Sequence, residues 1–450
     1  MADNLLDKAS ILLTPTASNN GSMLSVKPEN GDGDFTFSRG SAATRVNAQG
    51  LVEDVQTISS ELVSNGDFSQ GGQDWTFGTG WSVDQANSKA VKTSGTGSSL
   101  SQSVPVTTIG KKYKFSFDAT ATSGVANAEL YGVTIPNFTT SGSQEHTIIA
   151  TSTSGFEFYA ASNFQGSITN ISVKEITDDT DLPRIDYTDG CGSWLLEPQS
   201  TNLYLNSETL ATQSNATSAS TYTVSFYGTG TITFSGTHTG TLVGTGANDR
   251  VSATFTTTSG TLVSTVSGTC TKGQLENLSY ATSYIPTNGA IATRLADVAN
   301  NSGNSTLINS TEGVLYAEIA ALADDGGSTR TLSLNNGTSN VVVVIRYRSD
   351  TNQIQYLIKD GINADVGNTY TLTDATQYSK AALKYKSNDI SFWVDGIEVS
   401  SSTSTISLLG LNDLSFDGGD GTQNFYGKVK ALAVYKEALT DAQLQSLTTQ

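Results

Sequence analysis

Apolar and polar residues alternate with a period of two along most of this chain, and that spacing predicts strands rather than helices. The stretch Lys112-Tyr113-Lys114-Phe115-Ser116-Phe117 shows it most cleanly. Strands are expected over 112–118, 128–133, 146–150, 155–160 and 167–175, enough for one antiparallel sandwich across 61–176. A second series, over 222–227, 231–234, 250–256, 261–266 and 273–279, predicts a shorter sandwich across 201–299. A third, over 313–320, 329–335, 341–349, 353–359, 379–386, 389–394 and 428–435, predicts a last sandwich across 300–450. Asp395-Gly396 is a strong two-residue hairpin signal. Thr440-x-x-Gln443 is a capping-box pattern that opens a short helix, with Leu444 and Leu447 on one face. The fold class expected is therefore all-β, with antiparallel β-sandwiches in tandem.

Residues 1–60 fit less easily. Leu5, Leu6, Ile11, Leu12 and Leu13 form a short apolar patch, 27–34 is a polar loop, and Phe35 and Phe37 alternate with polar neighbours. Such a segment has too little apolar content for its own core. It is expected either to be an arm that attaches the chain to a neighbouring subunit or particle, or to add a strand to the first sandwich. Two dense segments, 183–206 and 273–298, interrupt the Ser/Thr/Gly-rich background. In the first, short strands at 184–187 and 193–196 flank a turn, and Pro198 ends the second. In the second, Tyr280, Tyr284 and Ile285 run into Pro286 and the turn Thr287-Asn288-Gly289. Aromatics beside tight turns suit a joint between modules, and 177–200 is expected to be a hairpin joint.

Composition narrows the function. The 450 residues suggest three or four domains. Aromatics are plentiful, with 16 Phe, 17 Tyr and 4 Trp, which argues against disorder. The formal net charge of −18 repels phosphate backbones, so nucleic acid is not expected as a partner. Cys191 and Cys270 lie in different elements without CxxC spacing, so a reduced pair is expected and zinc is unsupported. The N-terminal residues read as neither a signal peptide nor a membrane span, so membrane insertion is not expected.

No catalytic residue is assigned. His146 and His238 fall in different modules, which leaves a serine or cysteine hydrolase without its base. No phosphate loop or dinucleotide fingerprint is present. Glu318 stands alone in its strand, and Asp389, Asp395 and Glu398 surround a turn, so no run of paired glycosidase carboxylates appears. Sugar binding needs flat aromatic faces beside amides. The candidates are Trp75, Trp81, Tyr131 and Phe138, with Asn137 and Gln73 as polar partners, set against the alternative that the tryptophans plug the sandwich. Calcium is the one metal the chain admits, through Asp324 and Asp325 on one acidic Gly loop and Asp417 and Asp420 on another. Such loops also serve as plain surface turns.

The dense segments carry a resemblance. Arg184-Ile185-Asp186-Tyr187, Leu195-Leu196-Glu197-Pro198-Gln199, Thr201-Asn202-Leu203 and the run from Gln274 to Asp297 resemble words common in structural proteins of tailed bacteriophages. The run from Phe37 to Val46 is in the same style. Leu62-Val63-Ser64-Asn65-Gly66-Asp67-Phe68 followed by Trp75 and Trp81 resembles jelly-roll carbohydrate-binding modules. The last third, with Ser391 to Gly396 and Gly427 to Asp441, resembles the concanavalin A-like, laminin-G-like lectin superfamily. These resemblances imply a non-enzymatic virion protein, a tail fibre, appendage or capsid fibre. It would fold in the host cytoplasm and bind host or environmental glycans through many weak contacts. They imply other virion proteins as partners and a homo-oligomer, with a trimer favoured. A purely structural decoration protein, and a depolymerase or bacterial glycan-binding protein, are the alternatives.

Overall fold

The computed structural model describes residues 5–103, 109–153, 155–324, 326–327 and 329–449. The chain divides into two compact units, Gln56–Asp179 and Met1–Val55 together with Thr180–Gln450. Both are built from antiparallel sheets, and the fold is all-β, as the alternation predicts.

The Gln56–Asp179 unit is a jelly-roll-like sandwich. One sheet runs Gly142–Ile149, Lys112–Ser123, Gln165–Asp178, Lys89–Lys92, Trp81–Asp84. The facing sheet runs Val133–Thr134, Ala126–Leu130, Phe156–Ala160, Ser98–Gln102, Thr76–Phe77. Tyr113, Phe115, Phe117 and Ala119 point inward from the longest of the regular alternations. There they meet Phe156 and Phe158 in edge-on contacts, such as Phe117 on Phe158 at 4.8 Å.

In the other unit, the last sandwich has a broad sheet and a narrow one. The broad sheet runs Ile185–Asp186, Ser193–Leu196, Gly427–Tyr435, Glu312–Ala321, Ser379–Lys386, Ile390–Val394, Ile397–Ser402. The narrow sheet runs Val366–Thr371, Gln353–Lys359, Val342–Tyr347, Arg330–Asn335, Asp413–Ser415. Leu315, Leu383, Phe392 and Val434 pack from one side against Leu334, Ile345, Tyr356 and Leu414 from the other. The back of the broad sheet is covered by the Asp441–Thr448 helix, whose Leu444 and Leu447 pack on Tyr316, Trp393 and Tyr435. The expected capping box is formed by Thr440 and Gln443. The expected hairpin turn is formed too, with Asp395 at φ 48° and Gly396 at φ 82°.

The N-terminal segment corrects the sequence reading. It is not a detached arm. Ile11–Leu13 pairs with the end of Gly427–Tyr435, in register Ile11 to Val434 and Leu13 to Leu432. Ser193–Leu196 pairs with the start of the same strand, in register Trp194 to Val429. The two short strands therefore share one edge of the last long strand and cover it. The physical reason is that an open edge beside a buried apolar strand is a pairing site the fold must close. Ile11 and Leu13 are fully buried, and Phe35 and Phe37 enter the same core, with Phe35 4.9 Å from Phe416. Only Thr57–Ile58 adds to the first sandwich, on Gln165–Asp178. The 184–187 and 193–196 strands do form a hairpin, but it is an edge of the last sandwich rather than a linker.

Between them, residues 201–299 hold Gln213–Thr217, Gly260–Ser267, Thr231–Gly236 and Gly240–Val243 in one sheet. Gly246–Thr256, Thr221–Gly228 and Cys270–Glu276 form another. Tyr204, Phe226, Leu262 and Leu275 fill this smaller core. Cys191 is exposed, Cys270 is buried, and both are free thiols.

Candidate functional site

The aromatics expected to stack on sugars face the wrong way. Trp75, Trp81, Tyr131 and Phe138 are 7%, 6%, 0% and 5% exposed and belong to the first sandwich core. The indole N–H of Trp75 donates to the Asn65 carbonyl at 3.0 Å, and that of Trp81 to Ser98 at 3.1 Å. Tyr131 packs on Tyr113 at 4.7 Å, and Phe138 on Phe117 at 5.3 Å. Asn137 and Gln73 are exposed but have none of these rings beside them as a platform. The alternative reading holds because a large ring gains more by filling a sandwich than by lying on its surface.

The acidic loops are turns. Asp324 accepts from the Asn352 amide at 2.8 Å. Asp417 is buried and accepts from the Gly419 amide at 2.6 Å. Asp420 accepts from the Thr422 hydroxyl at 2.6 Å. Asp325 lies outside the described residues. Among the described residues no three His, Cys, Asp or Glu side chains come together as a metal cluster.

The dense segments have a physical role that sequence reading missed. Arg39, Arg184, Arg294, Glu197 and Asp297 converge in one buried knot. Arg184 donates to Glu197 at 2.6 Å and also bonds Asp297. Arg294 lies 2.9 Å from Glu197, and Arg39 donates to Asp297 at 3.1 Å. The Ser283 amide and hydroxyl donate to the two Glu197 oxygens at 2.7 and 2.6 Å. Burial alone would raise the Glu197 carboxyl, but Arg294, Arg184 and Ser283 outweigh it and hold it down at about 2. A carboxylate so strongly ionised, with both oxygens occupied, is a structural keystone and a poor proton donor at neutral pH. A cavity of about 180 Å³ lies beside the knot, lined by Thr44, Asp186, Tyr227, Arg250 and Ser283 among others.

The outer face of the narrow sheet presents an ordered polar surface. Alternation turns Ile345, Tyr347, Ile354 and Tyr356 into the core, so Arg346, Arg348 and Gln355 face outward. Register then aligns Thr331, Arg346, Gln355 and Thr369 in one row across four strands. Arg346 Nε donates to Gln355 Oε1 at 2.8 Å, and Gln355 Nε2 donates to Thr369 Oγ1 at 3.1 Å. Arg348 Nη1 reaches the same Gln355 oxygen at 3.4 Å, and Arg346 Nη1 reaches Gln423 Oε1 at 3.3 Å. Arg346, Gln355 and Thr369 are half-buried and Thr331 is buried, and the hydrogen bonds hold the planar guanidinium and amide groups in fixed orientation. The available signal was Arg-Tyr-Arg at the end of a Val/Ile strand, where the outward positions carry charge.

Residues 304–445 match the family described as the concanavalin A-like lectin/glucanases superfamily. No curated protein matches the chain. Among solved structures, an IT-sialidase CBM40 of Ruminococcus gnavus bound to alpha2,3 sialyllactose is similar. It is 13% identical over 32% of this chain and 86% of that one, with a TM-score of 0.29. The leech intramolecular trans-sialidase complexed with 2,7-anhydro-Neu5Ac aligns at 16% identity over 31% and 23% of the two chains, TM-score 0.26. The binding domain of botulinum neurotoxin serotype G aligns at 9% identity over 34% and 42%, TM-score 0.27.

Proposed function

We propose that this chain is a non-enzymatic carbohydrate-binding protein of a tailed-bacteriophage surface structure, and that the narrow sheet of its last sandwich holds the glycan. The carrying observation is the row Arg346, Gln355 and Thr369, a half-buried polar surface on a concanavalin-like domain. Guanidinium and amide groups in fixed orientation pair with sugar hydroxyls without first paying rotamer entropy. Each contact is weak and exchanges with water, so useful affinity comes from several copies on one particle. The dense words of 183–206 and 273–298 supply the motive for the virion assignment, together with virion partners, a homo-oligomer and a location on the particle. Glu197, which lines the cavity beside the knot, is occupied by arginine and serine donors, which favours binding over hydrolysis at that cavity. Calcium has no part in this reading, since Asp417 and Asp420 brace their own turn.

The test is a glycan array probed with the intact chain beside a Gln355→Ala variant. The reading expects a restricted set of bound glycans, lost in the variant, with no shortening of the oligosaccharides on incubation. An array without signal moves the chain to a purely structural role. Shortened oligosaccharides identify a depolymerase.

A further inference from the structure

The outward row holds more positive charge than its neighbours neutralise. Among the described residues Arg346 makes no ion pair, and its two acceptors are the neutral amide oxygens of Gln355 and Gln423. Among the described residues Arg348 has one carboxylate within ion-pair range, Asp350 at 3.6 Å, whose side chain is 60% exposed and thus screened by water. The Nε of Arg348 is buried and has no hydrogen-bond partner. Both guanidinium groups also turn onto the same oxygen, Gln355 Oε1. Arg184 and Arg294 in the knot also have a buried Nε without a hydrogen-bond partner, but their charge is balanced. Arg39, Arg184 and Arg294 each lie within 3.1 Å of a carboxylate.

Placing two like charges side by side on a half-buried face opposes folding, because each raises the free energy of the other. Burial, and then the charge of Arg348, pull Arg346 below the ordinary guanidinium range. The chain carries 42 acidic residues against 24 basic ones, so carboxylates were available to neutralise the pair. An arriving anion removes this penalty. Arg346 Nη2 has no acceptor among the described residues, and a planar carboxylate or a sulfate matches the guanidinium fork. Gln423 and Thr369 flank the pair and offer partners for sugar hydroxyls.

We propose that Arg346 and Arg348 form a subsite for the acidic group of an anionic polysaccharide, a uronic carboxylate or a sulfate ester. This inference rests on the reading that the narrow sheet binds glycans, and it names the class of glycan.

The experiment is titration calorimetry of the intact chain with three oligosaccharides of equal length, one uronate-bearing, one sulfated and one neutral. Each is run at low and high sodium chloride. At least one acidic probe is expected to bind at least tenfold more tightly than the neutral one, with the advantage shrinking at high salt. Which acidic probe binds distinguishes carboxylate from sulfate. Arg346→Gln is expected to remove the advantage without lowering the melting temperature, and Arg346→Lys to restore part of it. Arg348→Gln is the second variant should Arg346→Gln not fold. Equal binding of acidic and neutral probes overturns the inference and leaves glycan binding standing. Binding of none of the three, with no glycan bound on the array, overturns both.

Discussion

Arg184 and Glu197 meet at 2.6 Å from the two ends of one hairpin, with side chains 0% and 3% exposed. Their hairpin forms part of the edge of the last sandwich, and Asp297 joins them from a segment on the far side of the middle module. Three parts of the chain are thus tied at one buried point. Such a knot gains little net energy from its own charges, because desolvation offsets the attraction. It does specify geometry, since a misplaced segment leaves an uncompensated charge in the interior.

Glu197→Gln should therefore be far more costly than a surface change. It keeps the shape but leaves Arg184 and Arg294 without the anion between them. The expected loss is about 3–5 kcal/mol of unfolding free energy. Urea denaturation of the variant and the parent measures it, and a difference inside experimental error would remove the keystone role.

The same residue predicts an acid limb. Burial acting alone would raise its pKa, yet the opposing arginines hold it near 2, against an ordinary 4.5. A depressed carboxylate stabilises the fold above its unfolded pKa and loses that contribution as pH falls. Melting temperature should accordingly fall between about pH 4.5 and 2, and fall less steeply in Glu197→Gln. Parallel acid limbs in the two proteins would refute the assignment.

Leu13 tests the edge closure. It is fully buried on a three-residue strand that pairs with Gly427–Tyr435. Leu13→Ala should cost about 2–5 kcal/mol. By calorimetry, the loss belongs to the unit that contains Thr180–Gln450, while the transition of Gln56–Asp179 stays where it was. A shift confined to Gln56–Asp179 would contradict the strand pairing.

How much of this was legible depends on range. The Asp395-Gly396 turn and the Thr440 cap are local, and four residues of sequence specify each. The Tyr113, Phe115 and Phe117 face is likewise written in its own alternation. Period two says nothing about which strand is the neighbour, so Ile11 beside Val434 was invisible. Trp75 and Trp81 failed as sugar platforms because the same rings serve a core or a surface equally well. The words around Arg184, Glu197 and Asp297 stood out as dense, but their meaning lay in contacts up to 258 residues apart. Arg346 needed the register of its neighbours before it became part of a row.

Asp413 gives the opposite pH sign from Glu197. It sits at the other end of the narrow sheet, opposite Asn335. Its Oδ2 accepts from Ser415, while its Oδ1 is buried with no well-aligned hydrogen bond among the described residues. Burial pushes this carboxyl above the ordinary range, and Ser415, Asn335 and the amides of Asn301 and Leu414 only partly oppose it. Asp417 is also raised, first by burial and then by its acidic neighbours, including Asp413. A carboxyl whose pKa rises on folding penalises the native state once ionised, and the penalty fades as pH falls through its folded value. Asp413→Asn removes the charge and retains the shape. The variant should melt a few degrees higher than the parent at pH 7, about the shift expected for a gain of roughly 1 kcal/mol. The gap should narrow as acid protonates the parent. Thermal melts of both proteins from pH 7 to pH 4 decide the matter. A variant that melts lower at pH 7 would mean that the ionised carboxylate is needed where it stands, and calcium titration would then be the measurement to make on Asp413 and Asp417.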